Sequence, residues 1–236
     1  MSKPDIDVND LHQDLQPFFK AEGILTIDHP LLRMSSASAT KINDEYQRRL
    51  DSIRKSLRDK EWVALLDTFE APYQLLAFSV VSEQMSDIEY WEALRFAWMS
   101  TENPFQYLNL CVKLFRSSRP CRDELMSQED KATLERLPPK LTICRGHSPE
   151  FQNRKGISWT LKWEIAQRLG GRRGRYMAGK DAEIREEIVK KDEIIAFMNL
   201  RNEEEIIYLG DFHDEVGKND PRTEELIVVI RNCLGI

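Results

Sequence analysis

Apolar side chains recur along the first half of the chain at intervals of three and four residues. Ile42, Tyr46, Leu50, Ile53 and Leu57 fall on one stripe of a helix several turns long, and Lys41, Asp44, Arg48, Asp51, Arg54, Lys55 and Arg58 fall on its other face. Ser86-Asp87-Ile88-Glu89 has capping-box spacing: the serine oxygen can accept the amide three residues on, and the glutamate can reach back. The helix it opens carries Trp91, Leu94 and Trp98 on one face. Large apolar groups at helical spacing are first a packing signal, so these tryptophans are expected in the core. Ser127-Gln128-Glu129-Asp130 marks another helix start, and Pro138-Pro139 stops that helix, because proline lacks the amide and restricts the residue before it. Up to about residue 137 the chain reads as helical.

Beyond the proline pair the period changes. Short apolar runs follow at Leu141–Cys144, Glu193–Met198, Glu205–Leu209 and Leu226–Ile230, each reading as a strand. A helix is expected from about Leu161 to Leu169, ended by Gly170-Gly171. Glu183–Val189 suits strand or helix equally and stays open. The expected architecture is α+β: a helical region over residues 1–138, then a small, mostly antiparallel β-core over residues 139–236.

Composition narrows the class. At 236 residues, 41% hydrophobic and 31% charged, the chain can bury a core and reads as soluble and globular, not disordered. Its start has no apolar stretch suited to a secretory signal, and its longest strongly apolar run, Leu75–Val81, is far short of the roughly 20 residues needed to span a bilayer. Cys111, Cys121, Cys144 and Cys233 form no CxxC pair and no Cys/His spacing suited to zinc, so no metal is expected. Reduced thiols in a cytoplasmic protein without membrane contact are the expectation. The net charge of −6 is uneven: residues 140–180 hold ten Lys/Arg against Glu150 and Glu164, a local +8, leaving −14 for the remainder. A basic block in an acidic chain points to a local anionic ligand.

Three short motifs in that second half carry candidate chemistry. A strand-like run ends in Arg145, followed by Gly146, where a phosphate or ribose can approach the backbone. Ser158 stands thirteen residues on, in Gly156-Ile157-Ser158-Trp159-Thr160. Glu203 and Glu205, at i and i+2, lead into Ile206-Ile207. Singly each is weak: an arginine in a turn, a capping serine and an acidic pair are common surface features. A guanidinium matches phosphate oxygens, and a carboxylate at the edge of a core invites a functional explanation.

Taken in order, these motifs resemble the arginine–serine–glutamate class of NAD-dependent ADP-ribosyltransferases. The chain is similar to small ADP-ribosyltransferase-like proteins of bacteriophages and bacterial genomes. The likeness extends to Ile194-Ile195-Ala196-Phe197, to Arg201-Asn202-Glu203-Glu204-Glu205-Ile206-Ile207, and to Tyr90-Trp91-Glu92-Ala93-Leu94 and Leu137-Pro138-Pro139 in the helical region. Where the family has Ser-Thr-Ser, this chain has Ser158-Trp159-Thr160.

The resemblance implies NAD as co-substrate, a protein or nucleic-acid acceptor, and a toxin or phage effector that can have a neutralising partner. It makes Arg145 the NAD anchor, with Gly146 and His147 beside it. Ser158, with Trp159 and Thr160, would brace the nicotinamide-ribose site; Glu205 would be catalytic and Glu203 would face the acceptor. Arg145, Ser158 and Glu205 are then expected to converge on one cleft. His147 is equally readable as a polar loop residue, and Arg168, Arg172, Arg173 and Arg175 as a solvated loop or as phosphate contacts. Two other functions compete: NAD hydrolysis on the same scaffold, with water as acceptor, and a catalytically inert module that binds a partner.

Overall fold

A computed structural model describes residues 7–22, 24–35, 38–148, 154–170, 183–212 and 219–236. Arg172, Arg173, Arg175 and Lys180 of the basic block, with Glu150 and Gly171, lie outside the described residues. The protein is α+β, with eight α-helices and two antiparallel sheets among the described residues. It divides into two compact units: Met1–Met85 with Phe96–Glu102 and Asp220–Ile236, and Ser86–Arg95 with Asn103–Asn219. The proline pair at 138–139 falls inside the second unit.

In the first unit, β1 (Phe19–Glu22), β2 (Ile24–His29) and β3 (Leu32–Ser35) form an antiparallel meander. This corrects the all-helical expectation for the first 137 residues. His29 pairs with Leu32, so Pro30 and Leu31 make the connection, and Thr26 to His29 alternate half-buried and buried. A short β-branched run ending at a proline turn favours pairing over a helix, whose amide at Pro30 would be missing.

Four α-helices of the unit follow: α1 (Ala39–Asp59), α2 (Trp62–Asp67), α3 (Gln74–Val81) and the C-terminal α8 (Pro221–Leu234). The first buries the expected stripe through Ile53 and then Ser56. Leu226–Ile230, expected as a strand, lies inside α8. The flanks decide it: Asp220 caps the Thr223 amide at 3.1 Å, Pro221 opens the first turn, and Gly235 ends the helix at φ 72°. Those signals outweigh a continuous apolar run, which has no period to distinguish strand from helix.

Helix α4 (Asp87–Ser100) contributes its first half to the second unit and its end to the first. The expected capping box opens it: the Ser86 amide donates to Glu89 at 2.8 Å and the Glu89 amide to Ser86 Oγ at 3.4 Å. Trp91, Leu94 and Trp98 are buried. Next come α5 (Leu108–Phe115) and α6 (Gln128–Arg136), the latter closed at its start by a Ser127–Asp130 capping box.

A five-stranded sheet follows, built from β4 (Lys140–His147), β5 (Ser158–Thr160), β6 (Glu183–Lys190), β7 (Ala196–Met198) and β8 (Glu205–Ile207), in the order β6-β4-β5-β8-β7 with every neighbour antiparallel. The open segment at residues 183–189 is a strand, in register with β4 from Lys140↔Lys190 to His147↔Glu183. Helix α7 (Trp163–Gly170) packs on β4.

Candidate functional site

Strand β5 sets the geometry. Ser158 lies opposite Ile207 and Thr160 opposite Glu205, and residues directly across an antiparallel pair share a face. Ser158, Thr160 and Glu205 therefore leave one face of the sheet, while Trp159 and Ile206 leave the other. Within the first face the Ser158 hydroxyl donates to Glu205 Oε1. Two residues far apart in sequence are thus joined across two strands, and the bond fixes the rotamer of a half-buried carboxylate.

Arg145 reaches Ser158 from the other face. Its neighbour Cys144 pairs with Thr160, so by alternation Arg145 leaves β4 on the face opposite Ser158 and Glu205. The three side chains do not project from one face as expected. The guanidinium lies instead between the strands. Beyond the Cys144–Thr160 pair β4 and β5 share no further ladder pair. The Ile157 carbonyl turns to accept from the Tyr208 amide at 2.9 Å, which directs the Ser158 carbonyl toward β4. Arg145 Nη1 donates to that carbonyl at 2.7 Å and Nη2 to the Lys155 carbonyl at 3.3 Å. Gly156 makes this possible, since a Cβ there would stand 2.2 Å from the guanidinium carbon. Arg145, Ser158 and Glu205 form one chain of contacts: guanidinium to carbonyl, then hydroxyl to carboxylate.

Glu203 sits on the turn that enters β8. That turn uses two left-handed residues with side chains, Asn202 at φ 56° and Glu204 at φ 44°, so its conformation must be imposed by partners. The segment after Ser158 supplies most of them. The Thr160 hydroxyl donates to the Glu203 carbonyl at 2.5 Å, and the Leu161 amide to the Glu204 carbonyl at 3.2 Å. Lys162 Nζ reaches the Asn202 carbonyl at 3.2 Å and the Glu204 carboxylate at 2.9 Å. From the other side, Asn199 Oδ1 accepts the Glu204 amide at 3.0 Å. Arg168 of α7 pairs with the Glu203 carboxylate at 3.3 Å.

The remaining expected residues are placed as follows. The space beside Gly146 is filled by α7: a Cβ there would lie 1.8 Å from the Ala166 carbonyl oxygen, so the close approach it permits is that of a helix. His147 is buried, with Nε2 3.7 Å from the Glu183 carboxylate. Trp159 is buried, its indole donating to the Gly156 carbonyl at 3.3 Å, and Thr160 is buried against the 199–204 turn. Cys144 is a buried thiol, pushed above its ordinary range first by burial and then by the neighbouring Glu186 carboxylate.

Sequence reading missed Arg185. On β6 it stands directly across from Arg145, its guanidinium 5.1 Å from the centre of the Trp159 ring and bonded to Glu187. Like charges in that position repel. The only sequence signal was the strand option at 183–189, which did not specify register. Of the residues that secure the Glu203 turn, Lys162 counted in the sequence only as part of the basic block, and Asn199 had no signal. Among the described residues no group of three or more His, Cys, Asp or Glu is arranged to hold a metal ion, and no helix is long and apolar enough to cross a membrane. Comparison with protein-family models, curated proteins and solved structures finds no match.

Proposed function

We propose that the chain is an NAD-dependent mono-ADP-ribosyltransferase acting on a macromolecular acceptor, protein or nucleic acid. One observation supports this most: the Ser158 hydroxyl holds the Glu205 carboxylate, and the Arg145 guanidinium is bonded to the same serine's carbonyl. The residues singled out by their order in the sequence are linked through these bonds, although Arg145 leaves the face of the sheet opposite Ser158 and Glu205.

The chemistry suits the arrangement. Cleavage of the bond between nicotinamide and ribose proceeds through an oxocarbenium-like transition state, and nicotinamide departs neutral from a cationic ring. What the protein must add is fixed negative charge near the ribose and fixed positive charge near the pyrophosphate. Glu205, oriented by Ser158, supplies the first. Arg145, whose guanidinium reaches the Ser158 carbonyl, supplies the second. Glu203 stands two residues before Glu205, on the turn, where it can serve the acceptor.

The test is incubation of the full chain with labelled NAD and a cell lysate, resolving protein, nucleic acid and free ADP-ribose. Label in protein or nucleic acid is expected. Free ADP-ribose alone would indicate hydrolysis on the same site. Absence of nicotinamide release from folded protein would reject both and leave the binding-module reading.

A further inference from the structure

The turn that presents Glu203 has two kinds of support, and they address different atoms. Thr160, Leu161, Lys162 and Asn199 bind its backbone or Glu204. None of those contacts reaches the carboxylate of Glu203. Among the described residues that carboxylate is met by one cation, Arg168, whose Nη2 lies 3.3 Å from Oε1. The contact uses one oxygen, which leaves Oε2 for a donor hydrogen of an acceptor.

Arg168 itself is held on a rigid element. It follows Ala166 on α7, and that helix is locked to β4 by the Gly146–Gly170 approach, where a Cβ on Gly170 would fall 2.6 Å from the Gly146 carbonyl carbon. A glutamate on a turn is a long side chain with free torsions; an ion pair from a fixed helix restricts where its carboxylate can point.

We infer that Arg168 is the positioning residue of the acceptor side, acting through Glu203; this rests on the transferase reading above. In the transfer step the acceptor's nucleophilic atom bonds to ribose C1′ as the bond from C1′ to the nicotinamide nitrogen breaks. Nicotinamide leaves with that electron pair, and the acceptor's proton passes to the Glu203 carboxylate. Arg168 exchanges neither proton nor electrons. It sets the direction of the carboxylate that does, so its removal should affect capture of the acceptor more than cleavage of NAD.

The pair is half-exposed, with side-chain exposures of 47% for Arg168 and 22% for Glu203, so its removal is not expected to unfold the chain. The experiment measures nicotinamide release and acceptor labelling in parallel, with agmatine, single-stranded DNA and lysate protein as acceptor probes. It compares wild type, Arg168→Ala, Arg168→Lys, Glu203→Gln and the double variant Arg168→Ala/Glu203→Gln.

Arg168→Ala should lower the ratio of labelling to release by about tenfold, near the low end for one lost hydrogen bond to a charged group, and Arg168→Lys should recover part of it. In the Glu203→Gln background Arg168→Ala should have no further effect on that ratio, an outcome that a merely structural role would not produce. A wild-type ratio in Arg168→Ala, or effects of the two single variants that multiply in the double, would overturn the inference while leaving the transferase reading intact. A wild type that releases nicotinamide but labels none of the probes would replace transfer by hydrolysis and overturn the acceptor-side role with it. A wild type that releases none would remove the transferase reading, and this inference with it.

Discussion

Acid should destabilise the first unit through His29. This residue is fully buried, with Phe18 and Tyr46 edge-on to its ring at 4.7 and 5.3 Å. Its Nδ1 accepts the Leu31 amide at 3.1 Å, which places the proton of the neutral ring on Nε2, and Nε2 has no hydrogen-bond partner. Burial is the largest effect on its pKa, which falls from 6.5 to about 4; Asp14 opposes the shift and His12 adds to it. The folded chain therefore holds this histidine neutral where the unfolded chain protonates it. The unfolded state binds the extra proton as pH falls through 6.5, and the folded state follows only near 4. Stability is complete above pH 6.5 and is lost between 6.5 and 4.

At about 1.36 kcal/mol per pH unit the loss reaches roughly 2 kcal/mol by pH 5 and roughly 3 kcal/mol by pH 4. Denaturant unfolding of wild type and His29→Asn at pH 7.5, 6, 5 and 4 would measure it, since the amide oxygen of asparagine can take the Leu31 amide without titrating. The variant should be less stable at pH 7.5 but should lose about 2 kcal/mol less on going to pH 5. Equal losses in the two proteins would refute the assignment, as would a His29 ring that titrates near 6.5 by NMR.

Three further outcomes are expected. Gly146→Ala should destabilise the second unit by about 1–3 kcal/mol in denaturant melts, because the new methyl meets helix backbone, which must move as a body. An unchanged midpoint would mean that α7 is not seated on β4 as described. Arg145→Ala should weaken NAD binding by about 1.5–3 kcal/mol in a calorimetric titration. Gly156→Ala should weaken it as well, by displacing the same guanidinium; equal affinity in both variants would remove Arg145 from the site. Glu205→Gln should lower both nicotinamide release and acceptor labelling by about 10²–10³, whereas Glu203→Gln should lower labelling more than release. Full activity in Glu205→Gln would end the mechanism.

Much of the fold is local physics and could be read directly. The stripe from Ile42 to Ile53, the capping boxes at Ser86 and Ser127 and the proline stop at 138–139 each depend on residues within a turn or two, so spacing is enough to find them. The same holds for the caps of α8, legible at Asp220, Pro221 and Gly235 although the apolar run between them suggested a strand. The linear order of Arg145, Ser158 and Glu205 was legible too, and supplied the functional reading. How these residues meet was not. A strand pattern gives alternation but neither partner nor register, and a shift of one residue exchanges the faces. Pairing alone put Glu205 beside Ser158, turned Arg145 into the split between β4 and β5, and set Arg185 across from it. Gly146 and Arg168 show the same division: in sequence they suggested a phosphate approach and a phosphate contact or a solvated loop. What they meet is decided only where α7 is brought against β4 and beside the Glu203 turn, by contacts between segments that sequence spacing does not relate.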